Sequence, residues 1–160
     1  MTQKILEILE NDCNTPIEQI ALMTDLSAAE VAAAIDQLRE EKIILKNKSV
    51  INWEKTNKEF VTALIELKVT PQRGEGFDKI AERIYKFPEV KSVYLMAGAF
   101  DLTVIIEGKT MKEVALFVAN RLAPMDSVIS TGTHFVLKKY KDEGIIFDDD
   151  ETDNRQVITL

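Results

Sequence analysis

Apolar positions along the first forty residues recur at helical spacing. Ile5, Leu6, Ile8 and Leu9 form a stripe that closes near Asn11–Asn14. Ile17, Ile20, Ala21 and Met23 supply a second buried face, opened by Thr15-Pro16-Ile17-Glu18, a capping box with proline at the first helical position. Thr24-Asp25-Leu26 breaks that helix, and Ser27-Ala28-Ala29-Glu30 is a second capping box. Val31, Ile35 and Leu38 then fall at i, i+4 and i+7, predicting a third helix that ends near Lys42. From Ile43 the period changes. Ile43–Lys46 and Ser49–Trp53 are β-like runs around Asn47-Lys48, which predicts a hairpin.

Past the uniformly polar residues 54–59 a different alternation begins. Residues 60–69 read as a strand, and Thr70–Gly76 as a loop. Phe77, Ile80, Ala81, Ile84 and Tyr85 mark an amphipathic helix. Val90–Met96 and Leu102–Glu107 are strands around the turn Ala97–Asp101. Met111, Val114, Ala115, Phe117, Val118 and Leu122 mark a second helix, and Val128–Lys139 a last strand. The order β-α-β-β-α-β is the ferredoxin-like arrangement, with two helices on one face of an antiparallel sheet. One layer of helices covers one side only, so the bare face predicts a dimer packed sheet on sheet. The three N-terminal helices with their hairpin read as a winged helix-turn-helix. The expected organisation is α+β: residues 1–53 winged helix-turn-helix, 54–59 linker, 60–140 ferredoxin-like domain, 141–160 acidic tail.

Composition narrows the function. Of 160 residues, 46% are hydrophobic and 29% charged, which suits folded domains. No apolar run approaches the roughly 18–20 residues that cross a bilayer, and the first residues lack the pattern of a secretory signal, so no membrane partner is expected. One cysteine, Cys13, forms no internal disulfide, which points to a reducing compartment and a cytoplasmic location. With one Cys and one His, His134, a metal cage or a Cys–His catalytic pair is a poor reading, and no phosphate-loop or nucleophile-elbow motif occurs. No cofactor, metal or catalytic residue is assigned. Charge is uneven: residues 1–55 carry six Lys/Arg and ten Asp/Glu, residues 56–140 twelve and ten, and residues 141–160 two and seven. The last segment holds Asp148-Asp149-Asp150-Glu151 and Asp153, which reads as a solvated tail, or more sharply as a device that lowers DNA affinity or joins subunits.

Several segments resemble the Lrp/AsnC, or feast/famine, family. Lys4–Leu9 is similar to the family's first helix, Leu26–Val31 to its recognition-helix entry, and Phe87-Pro88-Glu89-Val90 to the approach to its second strand. Leu95-Met96-Ala97-Gly98-Ala99-Phe100-Asp101 resembles the family's turn of Gly, any residue, aromatic, Asp. The resemblance spans residues 3 to about 140. It implies a transcription regulator with a ferredoxin-like effector domain of the RAM type, which binds double-stranded DNA and forms homodimers that assemble to octamers. It also implies a small effector, an amino acid or a related molecule, where dimers meet. Asp101 would then take the ligand's amino group and backbone N–H groups of Gly98, Ala99 and Phe100 its carboxylate. Leu95, Met111, Thr131, Thr133 and His134 would complete the pocket. The plainer reading makes Gly98 a positive-φ residue, Asp101 a turn-holding one and His134 an ordinary strand residue.

The DNA-facing candidates are few. The outer face of the third helix offers Ala28, Ala29, Ala32, Ala33, Asp36 and Gln37. Gln37 suits adenine, Ala28 and Ala29 suit a thymine methyl, and Ser27, Arg39, Lys46 and Lys48 suit phosphates. So sparse a reading surface favours weak heads used together. It also sustains an alternative, an oligomeric ligand-binding or protein-interaction module with weak or no DNA binding. Siroheme decarboxylases share this two-domain architecture, but their tetrapyrrole chemistry calls for more than one histidine.

Overall fold

The computed structural model describes residues 2–71, 74 and 76–147. The chain divides into two compact units, 1–51 and 52–160.

The first unit holds three helices, α1 (Thr2–Asn11), α2 (Ile17–Thr24) and α3 (Ala28–Glu40). Ile5, Ile20, Ala21, Val31 and Ile35 pack as its core, with Ile8, Leu9, Leu26, Ala34 and Ile44 around them. Met23 does not join them; its side chain is exposed. Asp25 ends α2 in the left-handed region at φ 57°, a conformation Asp tolerates better than most residues. The turn to α3 is thereby held to Asp25–Ser27.

The two capping boxes have different fates. Ser27 and Glu30 make both reciprocal bonds. At α2 the cap position falls on Pro16, one residue past the expected Thr15, and proline has no side-chain oxygen to accept an N–H; the Thr15 hydroxyl donates to the Asp12 carbonyl at 2.8 Å. The expected wing is also absent as strands: residues 43–52 carry no strand pairing. Asn47-Lys48 lacks the glycine that a tight two-residue hairpin turn favours, and a lone two-stranded hairpin is marginal. Ile44 alone of this segment packs on the core; Ile43, Leu45, Val50 and Ile51 stay exposed.

The second unit opens with a 3-10 turn, Trp53–Lys55, which joins the last residue of the expected hairpin to the first two of the expected linker. Four strands follow, β1 (Val61–Val69), β2 (Val90–Leu95), β3 (Leu102–Gly108) and β4 (Val128–Phe135), with helices α4 (Gly76–Tyr85) and α5 (Met111–Phe117). The sheet order is β2-β3-β1-β4, and all three neighbouring pairs are antiparallel. Strand alternation decides what is buried. Ala63, Ile65, Leu67 and Val69 of β1 and Leu102, Val104 and Ile106 of β3 face Ile80 and Ile84 of α4 and Val114 and Phe117 of α5. The alternate residues, among them Leu64, Glu66, Tyr94, Thr103, Ile105 and His134, lie on the other face and are half-buried or exposed. After α5 the chain makes a π-type turn, Val118–Leu122, that keeps Val118 and Leu122 in the core. Residues 141–146, expected as the start of the tail, pair as a small hairpin of β5 (Lys141–Asp142) and β6 (Ile145–Ile146). Glu143 (φ 47°) and Gly144 (φ 81°) supply the left-handed turn residues that such a hairpin needs. The acidic run from Asp148 lies outside the described residues.

Candidate nucleic-acid and effector sites

Val31, Ile35 and Leu38 turn inward on α3, which leaves Ala28, Ala29, Ala33, Asp36, Gln37 and Arg39 exposed and Ala32 half-exposed. The polar candidates on this face are each tied to a nearby acid. The Ser27 hydroxyl donates to Glu30 Oε2 at 2.6 Å, and the Ser27 N–H donates to the same oxygen at 2.8 Å. These bonds from the Ser27 side chain and backbone hold the Glu30 carboxyl below its usual value of 4.5. Gln37 Nε2 donates to Glu41 Oε1 at 2.7 Å, and Arg39 Nη1 pairs with Asp36 Oδ1 at 3.2 Å. Both pairs are surface contacts three or four residues apart, each worth a few tenths of a kcal/mol by the general behaviour of exposed helix pairs. An incoming phosphate can exchange for such a partner. Lys46 and Lys48 are exposed on the segment that follows α3 and carries no strand.

The turn after β2 is built differently. Leu95 pairs with Leu102 across the β2–β3 ladder, and the Met96 N–H donates to the Asp101 carbonyl at 2.8 Å. The Asp101 N–H donates to the Leu67 carbonyl at 3.0 Å, and Asp101 Oδ2 accepts from the Val69 N–H at 2.8 Å. Asp101 therefore fastens the turn to the end of β1. Lys68, which no local sequence motif marks, reaches the same turn: its ammonium donates to the Ala99 carbonyl at 3.3 Å. Gly98 corrects one expectation. It is absent from the positive-φ residues, and a Cβ built on it meets no atom within 4 Å. Neither backbone conformation nor crowding within the chain requires glycine there.

The remaining effector candidates do not all converge on this turn within one chain. Thr131 lies opposite Leu67 and Thr133 opposite Ile65, so the two hydroxyls share the helix-side face, as alternation predicts. His134 lies opposite Leu64 on the other face, where its Nε2 is 3.1 Å from Glu66 Oε2. Met111 begins α5, just past Gly108. Gly108 pairs with Val61 at the far end of β1, which puts Met111 roughly 20 Å from Asp101 along the strand at about 3.4 Å per residue.

This arrangement, three helices followed by a four-stranded sheet with two helices, has clear relatives. Residues 62–146 match the Lrp/AsnC ligand binding domain, and residues 1–44 match a winged helix-turn-helix DNA-binding domain. The chain belongs to the Lrp/AsnC family. An uncharacterized HTH-type transcriptional regulator, YugG of Bacillus subtilis (strain 168), is 49% identical over 98% of this chain and 95% of its own length. The HTH-type transcriptional regulator FL11 of Pyrococcus furiosus is 31% identical over 88% and 89% of the two chains. Among solved structures, PH0061 aligns with a TM-score of 0.76 at 19% identity over 90% of this chain and 95% of that one. The regulator NMB0573 of Neisseria meningitidis, in complex with L-Met, aligns at 0.70 with 22% identity over 88% and 90%. This Lrp/AsnC chain is thus a transcription regulator with a helix-turn-helix for DNA and a ligand-binding domain, and its family is one of regulators rather than enzymes. Among the described residues no helix is long and apolar enough to cross a membrane.

Proposed function

We propose that this regulator binds double-stranded DNA as a multimer and that an amino acid, or a close relative of one, sets its assembly or DNA affinity from a site at the Gly98–Asp101 turn. The observation that carries this reading is the composition of that turn. Half-buried Asp101, the Lys68 ammonium and the open space over Gly98 meet at one end of β1. A zwitterion needs an acid and a base, one for each of its charged ends. Lys68 or the backbone N–H groups of residues 98–100 take its carboxylate, and Asp101 takes its ammonium. The L-Met bound to a regulator of the same fold agrees with this chemistry.

Leu95, Thr131 and Thr133 then border the ligand from the same chain, while Met111 and His134 contribute from neighbouring copies. The pocket is complete only where dimers meet, within a homodimer-based assembly such as an octamer. A ligand there shifts assembly states by binding them unequally. On the DNA side, Ser27, Arg39, Lys46 and Lys48 contact phosphates, and Ala28, Ala29 and Gln37 meet bases. Residues 1–53 act as the DNA-binding part, 54–59 as linker and 60–140 as the effector and assembly part, in the cytoplasm.

The test is a thermal-shift screen of the twenty amino acids on wild type and Asp101→Asn. At least one amino acid should raise the melting temperature of wild type and lose that effect in the variant. An equal rise in both overturns the assignment of the pocket. Failure to bind any duplex at low salt would favour a ligand-binding interaction module, a reading that the exposed Ala28, Ala29 and Ala33 on the outer face of α3 support.

A further inference from the structure

A cleft of about 380 Å3 opens at the end of the second unit's sheet that is remote from Asp101. Its walls come from Trp53, Glu54, Thr56, residues 58–62, Lys109 and residues 136–139, and they include four lysines, Lys58, Lys109, Lys138 and Lys139, against two acids, Glu54 and Glu59; Lys139 also pairs with Asp142 at 2.8 Å. Lys58 holds its ammonium 4.0 Å from the centre of the Trp53 ring. Lys139 lies 5.3 Å from the centre of the Phe147 ring. Phe147 is anchored beside this cleft: its N–H donates to the Tyr140 carbonyl at 2.9 Å, and its carbonyl accepts from Asn52 Nδ2 at 3.2 Å. Asn52 immediately precedes Trp53 in the cleft wall. The described chain therefore ends next to a lysine-rich cleft, and the four residues that follow in sequence are Asp148-Asp149-Asp150-Glu151.

We propose that the cleft is a carboxylate-binding site for the chain's own acidic stretch, Asp148–Glu151. Charge and tether both favour it. A single exposed ion pair contributes about 0–1 kcal/mol, but a short tether presents its carboxylates at an effective concentration of order millimolar. Several weak pairs then suffice at low salt. Filling the cleft withholds lysines that would otherwise attract nucleic-acid phosphates, an effect independent of the effector reading.

Trp53 is the chain's single tryptophan, so its fluorescence reports the cleft alone. Acrylamide, which is uncharged, measures access without responding to local potential. Four full-length proteins are compared at low salt: wild type; Asp148→Asn/Asp149→Asn/Asp150→Asn/Glu151→Gln; Lys109→Gln/Lys138→Gln; and the combination. Each partial variant should raise the quenching constant about twofold, and the combination should raise it no further, the non-additivity expected of groups that contact one another. Salt near 1 M, where the screening length is about 3 Å, should raise the wild-type value to match. If the lysine variant misfolds, the acid-neutralised protein serves alone, and an Asp-Asp-Asp-Glu peptide added to it should restore wild-type quenching. Equal quenching in wild type and the acid-neutralised protein overturns the proposal, as do additive effects. Protection of Trp53 by duplex DNA in a chain that is otherwise indifferent to neutralisation assigns the cleft to DNA and overturns it as well.

Discussion

The two units use their site carboxylates for different purposes. On α3, Asp36 and Glu41 occupy Arg39 and Gln37 through exposed contacts within one helical turn. In the second unit, Asp101 is half-buried and accepts a backbone N–H from a strand 32 positions away in sequence. The first kind of contact is cheap to exchange, so those side chains stay available to a new anion. The second kind holds the fold, and any ligand there must share a carboxylate that already has a structural task. Two sites that look alike as short polar motifs therefore differ in what a mutation removes.

The comparison breaks most visibly at Asp101. Alanine leaves the Val69 N–H without its acceptor, and an unsatisfied donor of this kind costs about 1–2 kcal/mol at a half-buried position. Asp101→Ala should lower stability in urea titrations by that amount, even with no ligand present. Asp101→Asn keeps an acceptor oxygen and removes the charge. It should stay within about 0.5 kcal/mol of wild type, while losing the response to an amino acid. If alanine proves as stable as asparagine, Asp101 carries no load for the fold and the contrast between the units fails.

The next test is on the DNA side. Lys46→Ala with Lys48→Ala should weaken binding about equally on all sequences. It should also flatten the dependence of log K on log salt by about 1.8, at roughly 0.9 for each phosphate that the protein no longer neutralises. An unchanged slope in a filter-binding series would remove both lysines from the interface. Arg39→Ala should act in the same direction, because its partner Asp36 is exposed and yields to phosphate.

Much of this was legible in the sequence, and the exceptions share a cause. The i, i+4, i+7 spacing of Val31, Ile35 and Leu38 gave α3 its buried face, and period-two runs gave the four strands of the sheet. Both are local signals that burial then enforces. The Asp101–Val69 bond, the Lys68–Ala99 contact and the Glu66–His134 pair join residues 31 to 68 positions apart. No spacing rule reaches that far. The hairpin expected around Asn47-Lys48 does not form, because β propensity on either side does not supply the turn that the dipeptide disfavours. The Thr15 box does not form because the helix begins one residue later, with Pro16 at the cap position and no side-chain oxygen there to accept an N–H. Gly98 is the instructive case at the site: its motif was readable, but the usual reason for a glycine, a left-handed backbone, is not the reason here.

Ser27 is a smaller test, since it is both helix cap and candidate phosphate contact. Ser27→Ala removes the oxygen that accepts the Glu30 N–H and should cost about 1 kcal/mol, read as a lower melting temperature of the free protein. Ser27→Asp keeps a capping oxygen, because aspartate is a good N-cap residue. It should hold stability near wild type but weaken DNA binding by adding a negative charge. A variant that binds DNA as wild type does would confine Ser27 to capping.

The smallest expected effect is that of pH on the same cap. Bonds from the Ser27 hydroxyl and N–H hold the Glu30 carboxyl below its usual 4.5 in the folded chain. A group with a depressed folded value stabilises the fold above its unfolded value and loses that contribution as pH falls through the folded one. Wild type and Glu30→Gln should therefore differ most in melting temperature near neutral pH. The gap should narrow as pH drops below about 4.5, since the protonated carboxyl and the amide then present similar acceptors to the Ser27 N–H. The gap should stay small throughout, because Glu30 is exposed and solvent already stabilises its charge. A gap that widens on acidification would mean that Glu30 is engaged mainly by something other than Ser27. The α3 cap would then resemble the Asp101 clamp more closely than the exchangeable surface pairs beside it.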